Sequence, residues 1–80
     1  MLDAELLVSY IISQLVDDDE SFDVSTLEGE GSYVISVDVK KDQIGKVIGK
    51  QGRIAKAIRS LLRAYGMERN MKIMLEINEM

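Results

Sequence analysis

Apolar residues recur in two rhythms, and the switch between them divides the chain. Over residues 2–16, Leu7, Tyr10, Ile11, Gln14 and Leu15 fall at helical spacing and predict an amphipathic helix. Asp3 and Glu5 suit its N-terminus through the helix dipole. The acidic run at residues 17–20 is unfavourable at a helix C-terminus, which predicts an end near Val16 and a solvated loop. Alternation with a period of two then takes over. Phe22, Val24 and Thr26 mark a strand over residues 21–28, Glu28-Gly29-Glu30-Gly31 a turn, and Tyr33, Ile35, Val37 and Val39 a second strand. The two are expected to pair as an antiparallel hairpin with one buried face.

Helical spacing then returns. Asp42 is placed to cap a short helix over residues 43–48. Ile54, Ile58, Leu61, Leu62 and Tyr65 form the expected buried stripe of a longer helix from Arg53 to about Tyr65, which Gly66 would close as a left-handed cap. Met71, Ile73, Leu75 and Ile77 alternate with Lys72, Met74, Glu76 and Asn78 as a third strand. The expectation is a single α+β domain over residues 1–80, ordered α-β-β-α-α-β, with a three-stranded sheet packed on helices. Periodicity leaves the strand order open.

Composition narrows the chemistry. A hydrophobic fraction of 46% supplies one core, and the chain contains neither cysteine nor histidine. That removes disulfides and argues against a zinc site. It also leaves no nucleophile paired with a base, and the spacing from Gly45 to Gly52 does not make a Walker nucleotide loop. No enzyme, cofactor or small-molecule substrate is expected. No apolar run approaches the length of a membrane span and no basic-then-apolar leader is seen, so a cytosolic location is expected.

The net charge of −4 argues at first against a polyanionic partner, but its distribution reverses that reading. Residues 1–39 carry ten acidic side chains and no basic one. Residues 40–72 carry all ten Lys and Arg against only Asp42 and Glu68, a local net of +8, and Glu76 and Glu79 bring the total back to −4. One half of the chain is a positive face, and a face steers ligands where a total does not.

At the centre of that face lies Ile44-Gly45-Lys46-Val47-Ile48-Gly49-Lys50-Gln51-Gly52-Arg53-Ile54. Gly49 and Gly52 lack a Cβ, so the chain turns sharply there and its backbone approaches another backbone closely. The following helix aims its unpaired N–H groups at the turn, and Lys50 adds a full charge at the tip. Arg53 and Lys56 lie one turn further on, with Lys46 in support. This is the pattern of a phosphate-backbone site. Ile44, Val47, Ile48 and Ile54 are expected to form an apolar groove for a few unstacked bases. Gly45 implies close approach, either of a neighbouring helix or of the ligand.

Residues 47–52 resemble the I-G-x-x-G core of a KH domain, whose GXXG loop clamps a single-stranded nucleic-acid backbone. Residues 45–59 closely resemble the small bacterial single-KH RNA-binding proteins of the KhpA (YlqC) family, and the likeness in element order covers nearly the whole chain. Many KH domains carry a bulky aliphatic three positions after the second glycine, where this chain has Ala55. The resemblance implies a prokaryotic, type II KH fold and binding to single-stranded RNA. It also implies a homodimer or a heterodimer with a KhpB/Jag-type KH protein, a role as RNA chaperone or regulator, and a link to cell elongation and cell-wall homeostasis. An alternative is a KH fold that uses the GXXG region for protein–protein contact.

Overall fold

The alternation over residues 22–39 becomes one hairpin in a computed structural model of the protein, which describes residues 3–80. Strand β1 (Phe22–Glu28) pairs antiparallel with β2 (Ser32–Val39), from Phe22 opposite Val39 to Glu28 opposite Tyr33. The turn is closed by the Gly29 N–H, which donates to the Ser32 carbonyl at 2.8 Å. Before it stands α1 (Asp3–Leu15); after it come α2 (Ile44–Ile48), α3 (Arg53–Glu68) and β3 (Lys72–Glu79). β3 pairs parallel with β2, and the sheet order is β1-β2-β3. The parallel pair requires a crossover, and α2 and α3 supply it. The element order is the expected α-β-β-α-α-β.

The central strand sets the core. Ile35, Val37 and Val39 on one face of β2 are fully buried, as are Val8 and Ile12 of α1 and Val47 of α2. Ile58 and Leu62 of α3 and Ile73 and Leu75 of β3 complete the cluster. Burying side chains of this size contributes about 1.5–3 kcal/mol each. Apolar packing therefore holds the helices on the sheet, since no ion pair joins α1 to α3 among the described residues.

Several local expectations are corrected. Leu2, where the first helix was expected to begin, lies outside the described residues. The buried row of α1 runs through Ala4, Val8 and Ile12 and on to Val16, while Tyr10 is 65% exposed. That row faces the sheet, and Leu7 and Tyr10 turn outward. On α3, Leu61 is likewise exposed, and Ala55 and Gly66 take buried places beside Ile58 and Leu62. Gly66 is no cap. It lies within the helix, where a Cβ would overlap the carbonyl oxygen of Met71, and Asn70 adopts the left-handed conformation with φ 54°.

Asp42 does not cap α2. The cap position belongs to Gln43, without a side-chain bond to the helix. Its buried amide instead meets Asp17, accepting from the Asp17 N–H at 3.1 Å and donating to the Asp17 carboxylate at 3.0 Å. The acidic run is thus more than a solvated loop. Asp18 accepts from the Glu20 N–H at 2.9 Å to start a single 3-10 turn, Asp19–Ser21, and Asp17 ties the end of α1 to the start of α2.

Candidate nucleic-acid interface

Helix α2 ends because Gly49 takes φ 78° and ψ 174°, a region essentially closed to residues with a Cβ. Its N–H still donates to the Gly45 carbonyl at 2.9 Å, which finishes the helix. Gln51 (φ 57°) and Gly52 (φ 72°) are both left-handed, and the Gly52 N–H closes the turn on the Gly49 carbonyl at 3.1 Å. Arg53 then opens α3. No side chain caps this helix, and its first turn lacks an acid, so nothing in the turn offsets the positive end of the dipole.

Lys50, Arg53 and Lys56 are exposed beside that turn, and Arg59 and Arg63 continue the row along α3. None of the five is in a salt bridge among the described residues. Arg53 donates to Gln51 Oε1 at 2.9 Å, which steadies the guanidinium next to Lys50. Lys46 is differently placed: its Nζ lies 2.7 Å from Asp17 Oδ1. Hydrogen bonds from Lys46 and Gln43, with the Lys46 charge, hold the Asp17 carboxyl below the usual aspartate range. Arg69 is also engaged, stacked 3.7 Å from the centre of the Tyr65 ring.

The apolar side chains do not line one groove as expected. Val47 is fully buried in the core, and Ile44 and Ile54 are half-buried against it. Of the four, Ile48 alone is exposed, at 36%. Ile54 has another use, because it fills the space over Gly49 where a Cβ would lie. A Cβ on Gly45 would meet nothing within 4 Å, so no neighbouring helix requires that glycine.

A groove does exist further along the basic row. It has a volume of about 530 Å³ and lies between α3 and the edge strand β3, lined by Arg59, Arg63, Met67, Met71, Lys72 and Met74 over Ile73 and Leu75. Periodicity shows which residues of a strand share a face but not which helix lies beside it, so this juxtaposition could not be read from the chain. The exposed alternates Lys72 and Met74, with Lys72 carrying the same charge as Arg59 and Arg63, were the available signal. Among the described residues no cluster of acidic side chains is arranged to hold a metal ion, and no helix is long and apolar enough to cross a membrane.

The sequence profile described as KhpA/KhpB, KH domain, matches residues 5–77. The chain is 45% identical over 71 residues to the RNA-binding protein KhpA of Clostridium perfringens, covering 89% of this chain and 95% of that one. It is 45% identical over 75 residues to the RNA-binding protein KhpA of Listeria monocytogenes, covering 94% and 99%. With the Borreliella burgdorferi RNA-binding protein KhpA the identity is 39% over 71 residues, covering 89% and 87%. Among solved structures, Era from Aquifex aeolicus in complex with GDP and AlF4− superposes with a TM-score of 0.59 at 19% identity. That match covers 95% of this chain and 29% of Era, and is a likeness of fold.

Proposed function

The chain belongs to the KhpA/KhpB KH-domain family, and we propose that it is a non-catalytic protein that binds single-stranded RNA across the turn at residues 49–52. The observation that carries this reading is the uncapped N-terminus of α3 behind two glycines of positive φ, with Lys50, Arg53 and Lys56 exposed around it. The sugar–phosphate chain lies against the backbone of Gly49, Lys50, Gln51 and Gly52. Lys50, Arg53 and Lys56 supply charge, which contributes affinity without sequence information. Ile48 and the open side of Gly45 bound the entry, and bases continue along α3 into the groove beside β3. Lys46, with Val47, Ile44 and Ile54, acts through the position of α2 and the loop.

A site of a few nucleotides binds weakly alone, and a second clamp raises affinity through effective concentration. A homodimer, or a pair with a KhpB/Jag-type protein, therefore fits the single clamp. Family membership supports a chaperone or regulatory role, and with it a cytoplasmic place and the link to cell elongation and cell wall. The test of the site is a titration of isotope-labelled protein with a short single-stranded RNA, followed by amide shifts. Perturbation is expected at residues 45–56 and along the α3–β3 groove. Perturbation confined to α1 and β1 would refute it, as would equal competition from blunt duplex.

One observation favours a second reading, in which the region serves protein contact: Leu61 is 52% exposed on α3, beside the basic row. Under that reading RNA and self-association exclude one another. Affinity for RNA that falls as protein concentration rises would support it.

A further inference from the structure

A second concavity lies on the opposite, acidic part of the molecule. It measures about 570 Å³ and runs between α1 and β1, bounded by Glu5, Leu6 and Tyr10 on the helix and Phe22, Asp23 and Val24 on the strand. Asp19 stands at one end, and no Lys or Arg lines it. Leu6 and Tyr10 are 54% and 65% exposed, so the groove combines apolar surface with three carboxylates.

Its strand wall is a sheet edge. The Lys40 N–H bonds to the Ser21 carbonyl and the Gly29 N–H to the Ser32 carbonyl, which brackets the β1–β2 ladder at both ends. In an antiparallel pair the bonded positions alternate, so Asp23, Ser25 and Leu27 bond to β2. The N–H and C=O groups of Phe22, Val24, Thr26 and Glu28 point the other way. β2 is the sole neighbour of β1, and no other hydrogen bond reaches those backbone groups among the described residues. An exposed row of this kind is a template for an added strand.

We propose that this groove takes an extended, lysine- or arginine-bearing segment of another protein, added as a fourth strand along β1. Backbone pairing supplies the register. Basic side chains on the segment's outer face reach Asp23, with Asp19 just before the start of the strand. The alternate, apolar ones face α1 and cover Leu6 and Tyr10 beside Glu5, whose carboxylate accepts from the Thr26 hydroxyl at 2.6 Å. A second copy of this chain is the wrong occupant. The three strands carry one basic residue between them, Lys72, and the basic row lies on a helix. Two β1 edges brought together would set Asp23 and Glu5 of one copy against those of the other. RNA is refused by the same carboxylates, so such a partner leaves the basic face open.

The probe is a short capped peptide of alternating lysine and valine, titrated into the isotope-labelled full chain. The expected result is amide shifts along residues 22–28 with slowed hydrogen exchange at Val24 and Thr26. Asp19→Lys combined with Asp23→Lys, both exposed and neither near the basic row, is expected to weaken the peptide at least tenfold. The same peptide N-methylated at every second residue keeps its charge but cannot pair, and its binding should be lost. Undiminished binding of the methylated peptide to the unaltered chain would overturn the proposal, leaving charge attraction alone. So would shifts confined to residues 17–20 without slowed exchange on β1.

Discussion

A Cβ placed on Gly49 would lie 2.6 Å from Cγ1 of Ile54. One placed on Gly52 would meet nothing within 4 Å. The two glycines of the loop therefore serve different ends: Gly49 admits Ile54 over the turn, whereas Gly52 only needs its backbone conformation. Gly52→Ala should cost about 1–2 kcal/mol, the expense of a left-handed L-residue. Gly49→Ala should cost more, since strain of about 1–3 kcal/mol is joined by overpacking of about 1–3 kcal/mol. Urea denaturation of the two variants checks the order. Equal losses would show that Ile54 does not brace the loop.

Gly66→Ala makes a similar test in a helix. Propensity alone favours alanine by about 1 kcal/mol. The Met71 carbonyl reverses the sign, because a backbone oxygen moves only with its chain, and the Met71 N–H is itself bonded to the Gly66 carbonyl at 2.8 Å. A net loss of about 1–3 kcal/mol is expected from overpacking, or a fall in Tm of at least about 4 °C for a domain this size. A rise in Tm would mean that the loop yields.

Replacing Lys50 and Gln51 together with Asp isolates the proposed clamp. Both side chains are exposed, Asp is tolerated at the left-handed position of residue 51, and stability should change by about 0.5 kcal/mol or less. Phosphate meets two negative charges where one positive charge stood. At an effective dielectric constant near 20, like charges about 4 Å apart repel by roughly 4 kcal/mol before screening. A loss of at least tenfold in RNA affinity is expected, with Tm unmoved. Wild-type affinity in the folded variant would place the clamp elsewhere.

Salt reads the same contacts independently. Three phosphate contacts on a single strand predict a slope of log affinity against log salt of about −2, from roughly −0.7 each. Fluorescence anisotropy with a labelled oligonucleotide measures it, and a flat line would exclude the basic row.

Acid should loosen the tie between α1 and α2. The Asp17 carboxyl titrates below the usual range when folded because Lys46 and Gln43 hydrogen-bond its charged form. Its contribution is therefore complete above the ordinary aspartate pKa of about 4 and disappears as pH falls through the lower folded value. Asp17→Asn should reduce Tm at pH 7 and narrow the gap from wild type as the pH is lowered. A gap that widens in acid would contradict the tie.

The order of elements and the loop could be read from the chain because both depend on local pattern. Alternation fixed the hairpin, and Gly49 and Gly52 declared a turn between helices. What escaped depends on contacts distant in sequence. Gly66 near a helix end suits a left-handed cap or a close approach equally well, and only the Met71 carbonyl distinguishes them. Two apolar rows run along α1, and the sheet chose Ala4, Val8 and Ile12 over Leu7 and Tyr10. The α3–β3 groove needed the strand order, which no periodicity contains.

The parallel pairing of β3 with β2 also orders events in time. Ser32 waits for Lys72, and Val39 for Glu79, so the central strand stays half-paired until β3 has been synthesised. A nascent chain ending at Met71 already carries every residue of the loop and both its helices. It lacks Ile73 and Leu75, two members of the core that holds the crossover in place. The loop and its two helices are thus synthesised before the core that supports them is complete.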